Sequence, residues 1–254
     1  VACLESALAG TKGPERTRIL VPLGRIYHER LNDAETAMGH LLEAQSLSAD
    51  TSALDDTLRD LLAETGSWDT LCELMGERYG AATEGQDRSQ RALELAKLHL
   101  EHRGDREAFL SWMQRATDAK KDSPDVVMTY IDFYTGEEAW PELAPHLEWY
   151  VNYLQGKKVM DELPGRAYGL ATLLTGLGDH ERALEYHKVA MQADGRHLPN
   201  LLDFGKLLVK CEKWQRALKI HQTLLMQLPR IENDADRNDV LYRLAQCCAA
   251  LDAK

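Results

Sequence analysis

Apolar residues return at helical spacing in two blocks of the chain, residues 164–197 and 198–231, which match each other without a gap. Leu170 aligns with Phe204, Ala171 with Gly205, Leu174 with Leu208, Ala183 with Ala217, His187 with His221 and Ala190 with Leu224. Ala167, Leu170 and Leu174 keep the i, i+3, i+7 rhythm of one helical face, as do Leu201, Phe204 and Leu208 in the next block. A polar turn follows, Gly178-Asp179 in one block and Glu212-Lys213 in the other, and a second amphipathic stretch begins. The pattern predicts two helices per block. The small Ala183 or Ala217 lets their backbones approach where they cross.

The same frame runs along the rest of the chain with more drift. Leu23-Gly24, Tyr27, Ala37, Leu41 and Ala44 fit one unit; Leu58, Leu62, Gly66, Trp68, Leu71 and Met75 fit the next. Leu95-Ala96, His99, Gly104, Phe109, Met113 and Ala116 fit a third, and Tyr130, Tyr134, Trp140, Leu143, Leu147 and Tyr150 a fourth. Leu241, Leu244-Ala245 and Cys248 open a last first helix with no second helix after it. The predicted array is a single one, with repeats at 17–51, 52–88, 89–123, 124–157, 164–197 and 198–231 and a final helix at 238–251. One such hairpin cannot bury its apolar face alone, so stacked neighbours must share a continuous core.

Three irregularities stand out. Gly156 to Leu163 and Glu232 to Arg237 each add about six residues to the frame, as longer helices, loops or a kink. The stretch from Gly76 to Ser89, with Gly80 and Gly85, is a predicted loosening point. Ala2 to Gly10 reads as the tail of a second helix, and the chain stops just after an apolar stretch; the expectation is a piece of a longer array.

This pattern resembles the tetratricopeptide repeat (TPR) family. The residues that carry the resemblance are the Leu-Gly and Leu-Ala pairs at Leu23-Gly24 and Leu95-Ala96, the crossing alanines Ala37, Ala183 and Ala217, and the late Pro229. The resemblance implies an all-α fold, an α-solenoid forming a right-handed superhelix of stacked antiparallel helix pairs. Arg59 and Ile131 replace the small residue at the crossing, and Leu71 and Leu143 replace the alanine opposite, so those pairs are expected to stand further apart. Trp68, Trp140 and Trp214 begin second helices and are expected to plug the space between neighbouring repeats.

In such a superhelix the first helices line a concave groove. The family frame places Met128, Asp132, Tyr168, Leu202, Lys206, Val209 and Tyr242 along one strip of it, with Asp56 and Asp60 as an acidic pair nearer the N-terminus. Apolar side chains with charges among them suit a docking segment, the former for affinity and the latter for register. TPR clamps for a chaperone's C-terminal carboxylate need Lys and Asn where this chain has Asp56, Asp60, Leu93 and Met128, so that subclass is excluded by its charge logic. The acidic pair suits a basic segment or a solvated face.

Composition narrows the function further. The net charge of −11 opposes a nucleic-acid partner. No apolar run is long enough for membrane insertion. The five cysteines, Cys3, Cys72, Cys211, Cys247 and Cys248, form no Cys-x-x-Cys pair and fit small hydrophobes in a reducing, cytoplasmic setting. His99 and His102 invite a metal reading, but no third ligand is predictable. No phosphate loop, dinucleotide turn or nucleophile elbow is present, so neither a cofactor nor an enzymatic activity is expected.

The expected function is a protein–protein interaction scaffold or adaptor that binds a peptide, a helix or a small domain. The divergent repeats resemble those of long bacterial TPR scaffolds, which recruit signalling, polarity or secretion components, sometimes a small GTPase. Two alternatives remain: a structural segment that oligomerises through its end helices, and a regulatory part of a larger multidomain protein.

Overall fold

A computed structural model describes residues 1–47 and 52–252. Residues 48–51, where the first predicted repeat ends, lie outside the described residues. All regular elements among the described residues are helices. The chain divides into two compact units, Val1–Asp122 and Ser123–Lys254.

The first unit holds α1 (Ala2–Gly10), α2 (Pro14–Glu29), α3 (Ala34–Leu47), α4 (Ser52–Glu64), α5 (Trp68–Ala81), α6 (Gly85–Arg103) and α7 (Arg106–Ala119). Consecutive helices pack together, α2 on α3 and α6 on α7 most extensively. The core is built from Leu20, Leu41, Leu58, Leu62, Leu71 and Leu95. Gly24 fixes the α2–α3 crossing: a Cβ there would sit 2.7 Å from Leu41 Cγ. The stretch from Gly76 to Ser89 is helical except at 82–84, so α5 and α6 absorb most of the predicted loosening point.

The second unit holds α8 (Pro124–Gly136), α9 (Trp140–Lys157), α10 (Leu163–Gly176), α11 (His180–Ala193), α12 (Leu198–Lys210), α13 (Trp214–Met226), a short 3-10 turn (Leu228–Arg230) and α14 (Asp234–Asp252). Its core includes Leu147, Leu170, Leu174, Phe204, Leu208 and Leu224. The predicted helical faces at Leu170 and Phe204 point inward, both being almost fully buried. Ile131 and Leu143 are both buried between α8 and α9.

One backbone device recurs in both units. Asn32, Gly66, Gly104, Glu138, Gly178 and Glu212 all have positive φ, and each stands two residues before a second helix. The residue after it turns its N–H back to the preceding helix, as in Asp179 N–H to Leu174 O at 2.9 Å and Lys213 N–H to Leu208 O at 2.9 Å. This left-handed cap satisfies carbonyls that the helix end leaves open. Asp105 and Asp179 then cap the next helix, accepting from Ala108 N–H and Arg182 N–H.

The two irregular stretches resolve differently. After Pro124 the extra residues lengthen α9 by about one turn relative to α11, 18 residues against 14, and Lys158 at φ 57° ends it. Before the last helix, the stretch starting at Glu232 becomes helical at Asp234, so α14 begins four residues ahead of its predicted start. Its buried residues are Val240 and Cys247, while Leu241 and Cys248 are exposed. The face carrying Leu241, Ala245 and Cys248 has no second helix packed on it among the described residues.

Candidate functional site

The predicted acidic pair shares one local counter-ion. Asp56 and Asp60 are exposed on α4, with Arg59 reaching Asp56 at 3.8 Å and Asp60 at 3.3 Å. Arg59 therefore does not fill the α4–α5 crossing, as its position predicted. A guanidinium placed there would lose its water, whereas on the surface it keeps both water and carboxylates.

The predicted strip in the second unit breaks into three kinds of residue. Asp132 and Tyr242 are exposed, Tyr242 at 68%. Met128, Tyr168 and Leu202 are half-buried and packed against the core. Val209 is a correction: at 6% exposure it belongs to the core and not to the groove. Its place near the end of α12 turns it inward beside Leu207 and Leu208, which are also buried. Tyr168 has an internal partner, its hydroxyl donating to Asp203 at 2.8 Å. Burial, with that bond in second place, raises the Tyr168 pKa. Lys206 stands between Asp203 at 4.0 Å and Asp236 at 3.6 Å, and so ties α12 to α14.

Of the predicted strip, Lys206 lines a cleft of about 440 Å³, and Met128, Asp132, Tyr168, Leu202, Val209 and Tyr242 do not. Thr172 and Thr175 from α10, Asp203, Lys206 and Lys210 from α12 and Arg243 from α14 line it. Arg243 is held by Asp239 four residues earlier, at 2.8 Å. Three cations thus face one recess, two of them tethered by carboxylates. His187 of α11 closes the floor. Its Nδ1 pairs with Asn200 Oδ1 at 2.8 Å, and the Asn200 amide donates to His187 O at 3.0 Å. Burial lowers the His187 pKa and keeps the ring neutral at physiological pH. The site can hold polar and charged groups by hydrogen bonds and ion pairs.

A second cleft, of about 510 Å³, lies between α9 and α10 and is lined by Trp140, Leu143, Leu147 and Leu173 among others. The repeat frame gives no sign of it, because that frame places Trp140 as a plug between neighbouring repeats. Trp140 is instead 41% exposed. The other two tryptophans do pack: Trp68 stacks on His102 of α6 at 3.6 Å, and Trp214 lies half-buried against the core.

No group of three His, Cys, Asp or Glu among the described residues is placed to hold a metal ion. His102 is occupied with Trp68, and the His99 pKa is lowered by burial. Cys247 is buried and Cys248 exposed, so the adjacent thiols face different surroundings. No helix among the described residues is long and apolar enough to cross a membrane.

No family model matches the chain, and no curated protein does. Among solved structures the chain is similar to MamA AMB-1, with 15% identity and a TM-score of 0.45, over 68% of this chain and 90% of that one. It is also similar to YrrB, a TPR protein with an unusual peptide-binding site, with 13% identity and a TM-score of 0.42, over 83% of this chain and 97% of that one. The TPR2AB domain of yeast Sti1, in its complex with pHSP90, gives 11% identity and a TM-score of 0.38, over 93% of this chain and all of that one. The fold is TPR-like in its own geometry: helix hairpins, small residues at the crossings and left-handed turns inside each pair.

Proposed function

We propose that this chain is a protein-interaction scaffold, and that its second unit binds a segment of a partner protein across α10, α12 and α14. The observation that carries this reading is the 440 Å³ cleft that three first helices share, with Lys206, Lys210 and Arg243 on its walls and Tyr242 exposed on the same helix as Arg243. Stacked hairpins leave such surfaces open because their cores are satisfied by nearest neighbours alone. Charged side chains on the wall set the register of a docked chain, and an exposed aromatic supplies affinity. The partner class is a peptide, a helix or a small domain such as a small GTPase, in a cytoplasmic complex of signalling, polarity or secretion components.

The test is site-directed photocrosslinking in cells. A photoreactive residue in place of Lys210 or Tyr242 is expected to trap the same protein, while one at Gln192 or Lys219 on other helices is not. Lys210→Glu with Tyr242→Ala should abolish capture and leave unfolding unchanged. Equal trapping at all four positions would sink the reading.

A second reading, assembly of chains through an end helix, rests on the exposure of Leu241 and Tyr242 on α14. Sedimentation of the chain and of a Leu241→Lys variant decides it: a dimer lost in the variant supports assembly.

A further inference from the structure

The charged cleft of the second unit has two unlike sides. On α10 and α11 it offers acceptors. The Thr172 and Thr175 hydroxyls spend their hydrogens on Tyr168 O at 3.0 Å and Ala171 O at 2.8 Å, so their oxygens can only accept. His187 adds a third acceptor. Asn200 donates its amide to His187 O, which leaves the Asn200 side-chain oxygen facing His187 Nδ1. Nδ1 therefore carries the proton of the neutral ring, and Nε2 carries the lone pair. Nε2 has no hydrogen-bond partner among the described residues, although His187 is only 1% exposed and lines the cleft. An acceptor buried to that degree costs stability until something donates to it.

On α12 and α14 the cleft offers donors. Arg243 binds Asp239 through Nε alone, at 2.9 and 2.8 Å. Its terminal nitrogens are free among the described residues and match the two oxygens of one carboxylate. Lys210 is exposed at the end of α12 and has no ion-pair partner among the described residues. Lys206 is already spent between Asp203 and Asp236. Asp203, the carboxylate on this lining, is spent on the Tyr168 hydroxyl and on Lys206.

These two sides select an occupant. A basic group would meet Lys210 and Arg243 and find no unpaired carboxylate. A phosphoryl dianion would set two charges against one unpaired cation and have nothing to donate to His187. An Asp or Glu within a peptide supplies both needs, a single negative charge and a main-chain N–H close beside it. Across a chain of net charge −11 such a cationic wall is a local exception, and it steers an acidic segment to this place.

We infer that the α10–α12–α14 cleft reads an acidic residue, Asp or Glu, inside a partner segment: its carboxylate binds Arg243 and Lys210, and a main-chain N–H beside it donates to His187 Nε2. The inference rests on the scaffold reading for the kind of ligand and adds the ligand's charge and polarity.

The experiment is a selection of random peptides displayed on phage against the whole chain, followed by binding of the selected peptides made with amidated C-termini. They should share an Asp or Glu at one position and bind more weakly at high salt. Changing that residue to Asn or Gln should raise Kd about tenfold or more, as should Lys210→Glu, whereas Lys210→Arg should bind nearly as before. Circular dichroism checks that both variants fold. Nitrogen NMR should show the His187 ring protonated on Nδ1 in the free chain and its Nε2 signal moving when peptide binds. The inference is overturned by peptides with no shared acidic residue, by peptides that tolerate its removal or Lys210→Glu, by binding that requires a free C-terminal carboxylate, by an unmoved Nε2 signal, or by no enrichment. Peptides that lack an acidic residue yet lose binding in Lys210→Glu with Tyr242→Ala would overturn the inference and leave the scaffold reading standing. Crosslinking at Lys210 and Tyr242 judges that reading separately, whatever the peptides show.

Discussion

His187 and Asn200 hold each other in two directions, ring to side-chain oxygen at 2.8 Å and side-chain amide to main-chain oxygen at 3.0 Å, with both residues almost wholly buried. The pair joins α11 to α12 beneath the charged cleft. Asn200→Ala leaves the His187 ring and carbonyl without these partners, which costs about 1–3 kcal/mol. Urea denaturation should report the loss. A change below a few tenths of a kcal/mol would show that the pair does not hold the helices.

The buried histidines set an acid limit. Burial lowers the pKa of His146, His187 and His221 in the folded chain, so below about pH 6.5 the unfolded state binds more protons than the folded one. Stability is complete above that pH and is lost as pH falls through the gap between unfolded and folded values. The His221 ring is buried against the Gly205 backbone, and burial outweighs that backbone's opposing pull on its pKa. His221→Leu should flatten the acid limb of a stability–pH profile. An unchanged slope would count against the assignment.

Tyr186 predicts the opposite limb. Burial, then its hydrogen bond to Glu148 at 2.7 Å, pushes its pKa up to about 12. Its contribution is present below the ordinary tyrosine value of about 10 and is lost as pH rises through the folded value. In an alkaline absorbance titration Tyr186→Phe should remove the phenol that ionises last. Its loss of stability should be largest below pH 10.

Two glycines in adjacent helices separate packing from propensity. A methyl group at Gly24 must displace Leu41, so Gly24→Ala should destabilise by about 1–3 kcal/mol. At Gly39 in α3 an added Cβ meets nothing within 4 Å, and Gly39→Ala should stabilise by up to about 1 kcal/mol. Equal effects in thermal melts would contradict the close crossing.

Much of the array was legible because helical periodicity and small crossing residues are local signals. Gly24, Ala37, Ala183 and Ala217 announce close approaches whatever lies outside each hairpin. The turns were half legible. Gly66, Gly104 and Gly178 point to left-handed backbone, but Glu138 and Glu212 adopt the same conformation with no residue signal. There the cap is imposed by the two helices it joins. The groove strip was the least legible part. Leu202 and Tyr242 occupy the same place in the repeat frame, yet one is half-buried and the other 68% exposed.

The sequence by itself determined the hairpins and their order, because those follow from spacing along a single helix and from side-chain size. Only the tertiary structure decided which apolar residues face water, as Trp140 and Leu177 do. The physical reason is that exposure depends on the distance between elements far apart in the chain.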